Sequence, residues 1–192
     1  MKKLVFLAVL LSAVMIPQAQ AGSSTYGCDS CHAPHHTPTE NIGMPLWTPE
    51  RDVDMSGMIP YSSVTNTLDA TVGIPDGISK MCLSCHDGTG SHSAPGTGGN
   101  FTSDISNSHP VSFVYDTALA TADGELLDPA TAPSNTVDGG TIETDLLDPF
   151  GKLQCSSCHD PHKQAVVEEG HLRIANDGGY NGGQLCKTCH DK

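Results

Sequence analysis

The pattern Cys-x-x-Cys-His occurs four times, at Cys28 to His32, Cys82 to His86, Cys155 to His159 and Cys186 to His190. Each copy has the form of a covalent haem attachment site. The two thiols add across the two vinyl groups of one porphyrin, and the residue that follows is placed to put an imidazole on the iron as proximal ligand. All 8 cysteines of the chain fall in these motifs. Cys28, Cys31, Cys82, Cys85, Cys155, Cys158, Cys186 and Cys189 are therefore read as thioether positions, and His32, His86, His159 and His190 as proximal iron ligands. The cofactor implied is four covalently bound haem c groups. Zinc sites and dithiol redox centres also use C-x-x-C pairs, but neither asks for a histidine directly after the second cysteine every time. A disulfide framework is open to an exported chain, and the same histidines argue against it.

Export is itself expected. Lys2 and Lys3 precede an apolar run from Leu4 to Ile16, followed by Pro17 and the small-residue site Ala19-Gln20-Ala21. That run is too short to span a bilayer, so residues 1–21 read as a cleaved secretory signal and 22–192 as the mature chain, an uncleaved anchor being the alternative. No other stretch is long enough to cross a membrane, so no integral membrane segment is expected in the mature chain. The location implied is extracellular or cell-surface, with the periplasm as the alternative.

Composition says what such a chain lacks. Leu, Ile, Val and Phe make up about 17% of the mature residues, and the whole chain carries a net charge of −13, more negative once Lys2 and Lys3 are removed. A polypeptide of that kind does not bury enough apolar surface to order itself. Porphyrins supply the missing surface, and thioether links restrict the unfolded chain much as disulfides do. The acidity argues against nucleic acid as a partner. It leaves cationic redox proteins, such as other cytochromes, and metal ions or mineral surfaces open.

The expected fold is mostly irregular coil with a few short helices and a small β-hairpin, wrapped around four stacked haems. Thr37 to Ser79 shows neither helical nor strand periodicity and reads as irregular wrapping. A short helix is expected from about Ile78 into His86, and a Gly, Ser and Thr loop over Asp87 to Asn100. His109 to Tyr115 alternates as a half-buried strand does. In the acidic, haem-free segment beyond it, Leu126-Leu127-Asp128-Pro129 recurs as Leu146-Leu147-Asp148-Pro149 around the turn signal Asp138-Gly139-Gly140, which suggests a hairpin or flap. A short helix is expected within Ala165 to Asp177, and a helical turn over Gln184 to His190. The two haem-bearing halves, about 22–115 and 150–192, joined by 116–149, look like an internal duplication.

Six histidines remain for four vacant axial positions: His35, His36, His92, His109, His162 and His171. An iron with two permanent protein ligands passes electrons, whereas catalysis needs an open position. Enough histidines to close every iron argues for a wire rather than an enzyme. A histidine three residues after the proximal one cannot fold back to the far face of its own haem, so His35 and His162 are expected to reach a neighbour. His162 most simply caps the iron of the fourth motif, and His35 or His36 that of the second. His109 is the third distal candidate. His92 and His171 read as solvated side chains, and Met44, Met55, Met58 and Met81 have no matching spacing. Neighbouring side chains cannot share one iron, so if His35 and His36 are both ligands they serve two haems, the second being open to another molecule.

At these residues the chain resembles the paired C-x-x-C-H multihaem cytochromes, and in particular the tetrahaem cytochromes of the OmcE type that polymerise into conducting filaments. The resemblance rests on Cys28-x-x-Cys31-His32-x-Pro34-His35-His36, Leu83-Ser84-Cys85-His86-Asp87-Gly88, Ser108-His109-Pro110-Val111-Ser112-Phe113 and Cys155-x-x-Cys158-His159-Asp160-Pro161-His162. It spans nearly all of the mature chain. It implies bis-histidine ligation throughout, alternating parallel and crossed haem pairs, and a histidine near the N-terminus, here His35 or His36, donated to a haem of the next subunit. Head-to-tail contacts that do not close generate a fibre. The expected function is electron transfer through a homopolymer to an extracellular acceptor such as a metal oxide. A soluble periplasmic tetrahaem shuttle is the alternative, and a haem enzyme such as a nitrogen-oxide reductase a more distant one.

Overall fold

The helix around the second motif, α1, spans Gly77–His86 in the computed structural model, which describes residues 32, 55–63, 68–87, 101–162, 171–174 and 183–191. Gly77 opens it with φ 53°, at a point where an added Cβ would stand 3.0 Å from the Gln154 amide nitrogen. Glycine meets both demands. Met81 and Leu83 are its buried apolar residues, and Leu83 joins Met55, Met58 and Ile105 in a small cluster.

The expected strand is present but shorter. β1 (Phe113–Val114) pairs antiparallel with β2 (Lys152–Leu153), Phe113 opposite Leu153 and Val114 opposite Lys152. Phe113 and Tyr115 are buried while Val114 is 48% exposed, the alternation of a one-sided strand. Ser112 ends the extended run with φ 63°, and its hydroxyl donates to Gln154 Oε1 at 3.0 Å.

The hairpin expected inside the acidic segment is not built from the two Leu-Leu-Asp-Pro runs. Each run turns at its aspartate: Asp128 Oδ1 accepts from the Ala130 N–H at 3.1 Å, and Asp148 Oδ1 accepts from Phe150 and Lys152 N–H at 2.8 and 2.9 Å. Such side-chain turns compete directly with extension. The turn at Asp138-Gly139-Gly140 does form, closed by an isolated antiparallel bridge between Pro133 and Thr141. β1 and β2 close the whole segment at its flanks, and two short helices lie between them. In α2 (Thr117–Asp123) the Asp116 carboxylate caps the Leu119 N–H at 2.8 Å, and Gly124, φ 75°, ends the helix. In α3 (Ile142–Asp145) Thr141 and Thr144 form a reciprocal capping box.

The second cluster unites these elements: Phe113, Tyr115, Ala120, Ile142, Leu146, Leu153 and Ile174. Beside it Asp145 Oδ2 accepts from the Ser134 hydroxyl at 2.5 Å, the Thr136 hydroxyl at 2.9 Å and the Gly140 N–H at 2.8 Å. These bonds, that of Ser134 foremost, hold its carboxyl below the ordinary 3.8. The hydroxyls of Ser106 and Thr117 do the same for Asp104 and Asp128. A folded-state pKa below the unfolded one contributes stability that is complete above the ordinary value and lost as pH falls through the lowered one. Circular dichroism of the holoprotein against pH is therefore expected to show this segment loosening only below about pH 3.8. Asp145→Asn should be less stable at neutral pH and respond less to acid; equal stability of the two forms at pH 7 would refute the role given to Asp145.

The remaining helices carry the last two motifs. α4 spans Cys155–Cys158 and α5 Gln184–Lys187. Of the short helix expected within Ala165 to Asp177, only 171–174 are described, and there Leu172 bridges antiparallel to His159. The C-terminal turn docks on the acidic segment: Leu127 N–H donates to Cys189 O, and Asp191 N–H to Glu125 O, both at 2.9 Å. The Tyr115 hydroxyl donates to Leu127 O at 2.5 Å from beneath, and burial raises its pKa. No helix among the described residues is long and apolar enough to cross a membrane.

Candidate functional site

The second, third and fourth motifs each sit on a turn of helix, in α1, in α4, and in α5 with the turn that follows it. Of the first motif His32 is described; Cys28, Cys31, His35, His36 and His92 lie outside the described residues. One helical turn is what the spacing needs, since it sets the two cysteines and the following histidine on one side of the chain.

A buried glutamine joins the second and third motifs. Gln154, directly before Cys155, is 1% exposed. Its Oε1 accepts from the Ser79 N–H at 3.2 Å, the Ser79 hydroxyl at 2.5 Å and the Ser112 hydroxyl at 3.0 Å. Its Nε2 donates to Asp148 Oδ2 at 2.9 Å and Asp76 Oδ1 at 3.4 Å. The Cys155 N–H donates to the Ser79 hydroxyl at 3.0 Å, and an ion pair between Lys152 and Asp76 closes the rim. α1 and α4 are thereby locked with the leading cysteines of their motifs together.

The sulfurs report the same closeness. A hydrogen bond with Cys82 lowers the Cys155 thiol to about 7 against the pull of burial. Burial first, then the neighbouring Cys155 and Cys186, raises Cys158 to about 11. Burial and then Cys158 raise Cys189 to about 12. As thioethers these sulfurs no longer titrate, but their positions place the second motif against the third and the third against the fourth. No disulfide joins the six described cysteines. Among the described residues no three of His, Cys, Asp and Glu converge on a common metal position.

Two histidine pairs stand out. The rings of His32 and His162 have centroids 6.0 Å apart and planes 13° from parallel. Those of His109 and His190 are 6.4 Å apart with planes at 76°. Each pair joins a histidine of a motif to one expected as a distal ligand. The partnership differs from the expectation that His162 serves the fourth motif: the ring set against His190 is that of His109, and His162 stands against His32. Sequence distance conceals this, because chain reversal between β1 and β2 decides which motif His109 meets. In both partners the second ring nitrogen has a local neighbour. His109 Nδ1 lies 3.0 Å from Pro110 O, and His162 Nδ1 lies 3.6 Å from Asp160 Oδ1. Contacts of this kind orient an imidazole and leave Nε2 for a metal. His171, expected to be solvated, is half-buried with φ 58°.

The family model for a doubled CXXCH motif matches residues 148–192, the third and fourth motifs. Comparison with curated proteins gives no match. The doubled motif indicates covalently bound haem c, at least two groups, and is typical of multihaem electron-transfer cytochromes.

Proposed function

We propose that the protein is a secreted tetrahaem c-type cytochrome that passes electrons along bis-histidine haems and polymerises head to tail into an extracellular conducting filament. Each C-x-x-C holds one porphyrin, and His32, His86, His159 and His190 are the proximal ligands. The observation that supports this most is the fourfold recurrence of C-x-x-C-H, with the doubled-motif match over residues 148–192. Beside it, the rings of His32 and His162 stack at 6.0 Å and those of His109 and His190 meet edge-on at 6.4 Å, each setting a motif histidine beside a candidate distal ligand.

On this reading His162 completes the iron of the first motif and His109 that of the fourth. Haem, when bound, supplies reversible one-electron chemistry. The chain holds the imidazoles, denies substrate an axial position and keeps the porphyrins close enough for transfer. His35 and His36 are the ligands proposed for the remaining irons, one of them given to the next subunit. An open repeat of that contact makes a fibre.

Mass spectrometry of the mature polypeptide is expected to find four haem additions, and carbon monoxide to leave the reduced spectrum unchanged. Electron microscopy of the secreted fraction should show fibres. Of His35→Ala and His36→Ala, one should release a monomer with a single altered haem and the other damage only an internal site. If both variants still polymerise with every iron low-spin, the shared ligand is refuted. Single particles in the wild-type fraction would mean a soluble shuttle, and a ligand-accessible high-spin iron an enzyme.

A further inference from the structure

We propose that the doubled motif is electrostatically polarised: Arg173 fixes a positive charge against the third C-x-x-C-H while the acidic segment lines the fourth with carboxylates, so an electron shared by the pair rests at the third. The inference rests on haem being bound at these two motifs, which the doubled-motif match covers. It adds the direction of transfer between them.

The two sites are built alike. A short strip of chain runs antiparallel along the end of each motif, with a leucine opposite the motif histidine. At the third, Leu172 bridges to His159, the Arg173 N–H donates to Cys158 O at 2.8 Å and the Asp160 N–H to His171 O at 2.8 Å. At the fourth, Leu126 bridges to His190, the Leu127 N–H donates to Cys189 O and the Asp191 N–H to Glu125 O, both at 2.9 Å. The register is the same, and Asp160 and Asp191 follow the two histidines alike. Where the third motif meets His171-Leu172-Arg173-Ile174, the fourth meets Glu125-Leu126-Leu127-Asp128.

Charge is what distinguishes the strips. Arg173 is held by its backbone bond to Cys158 O, by the buried Ile174 beside it and by Nε, which donates to Ser156 O inside the motif at 2.5 Å. Burial, Cys155 and Cys186 push the Cys158 thiol up, and the Arg173 charge pulls it the other way. At the fourth motif Asp128 is kept below the ordinary carboxylate range by bonds from the Thr117 hydroxyl and the Ala130 N–H. Tyr115, whose hydroxyl lies 3.4 Å from Cys189 O, is raised by burial, by Cys189 and then by Asp123 and Asp128. Lys187, exposed within the fourth motif, offsets one carboxylate and leaves the balance negative. Asp76 and Asp148 lie where the third motif meets the second, with Lys152 bonded to both.

Reduction removes one positive charge from a haem, so a neighbouring cation favours the reduced form and a neighbouring carboxylate the oxidised one. The thioether edge of a porphyrin lies opposite its propionates, so those carboxylates do not cancel a cation placed at Cys158. The electron that leaves the fourth iron arrives on the third, and no bond or proton changes hands. One part-buried unit charge displaces such an equilibrium by roughly tenfold.

The test is a redox titration of the holoprotein at an electrode, followed by paramagnetic NMR that assigns each haem through its thioether cysteines. The haem of the third motif is expected to be reduced before that of the fourth. Arg173→Gln keeps a donor for Ser156 O but loses the charge, and should move the equilibrium roughly tenfold towards the fourth. Arg173→Lys restores the charge without the guanidinium and should recover the wild-type order. Asp128→Asn, which retains an oxygen for the turn, should narrow the gap by moving the fourth haem and not the third. If the wild type reduces the fourth haem first, or if the Gln and Lys variants behave alike, the polarisation is overturned although haem binding stands. Mass spectrometry showing either motif without haem would overturn it together with the functional reading.

Discussion

Stripped of haem, the chain is expected to show no cooperative thermal transition in far-ultraviolet circular dichroism. Its described apolar interior consists of two separate clusters, one of four buried residues around Met55, Met58, Leu83 and Ile105, the other of seven around Ile142. α4 and α5 are four residues each, far below the length of about 12–15 residues at which a helix holds its own shape in water. The surplus of acidic side chains adds self-repulsion to this small interior. Porphyrin faces are the apolar surface that the sequence withholds, so removing them should abolish the whole of the folding free energy and not a fraction of it. Protein expressed without haem attachment, or with all eight cysteines changed to alanine, makes the test. A sigmoidal melt resembling that of the holoprotein would contradict the account.

Replacing Gln154 with leucine in the holoprotein should have the largest effect of any single change away from the haem ligands. Leucine matches the volume of glutamine and supplies no polar atom. It would leave the Ser79 and Ser112 donors and the Asp148 acceptor without their partner, in a place where Gln154 is 1% and Ser79 0% exposed. Buried groups stranded in this way cost about 1–3 kcal/mol each; with partial relaxation we expect a loss of about 3 kcal/mol. Because Ser79 also holds the Cys155 N–H, the loss should loosen α1 against α4. The midpoint potentials of haem at the second and third motifs should then shift more than that of haem at the fourth. Val137→Asp, at a residue 88% exposed, is the control and should change stability by no more than about 0.5 kcal/mol. An unchanged melting temperature for Gln154→Leu would remove the glutamine from its role as the joint.

What could be seen from the sequence follows the range over which each interaction acts. The C-x-x-C-H motifs, the helix ending at His86 and the alternation from Phe113 to Tyr115 are local patterns, and the structure places α1 within a residue of its expected start. Gln154 was not visible. A single polar residue before a cysteine carries no periodic signal, and its importance arises only when Ser79, Ser112 and Asp148 are brought to it by the fold. The runs Leu126–Pro129 and Leu146–Pro149 misled for a related reason: recurrence around a turn signal fits a hairpin, but each aspartate satisfies a nearby backbone N–H first. The pairing of His162 with His32, and of His109 with His190, is a property of topology. His109 and His162 were legible as distal candidates, but not the motif each ring would face.

The docking of the last turn on Glu125 and Leu127 has a consequence for how such a chain tolerates change. Cys189 and Asp191 are gripped by backbone bonds from a stretch that carries no porphyrin, so that stretch serves as the ruler between neighbouring redox centres. An insertion or deletion beside Leu127 is therefore expected to displace the fourth motif from its neighbours.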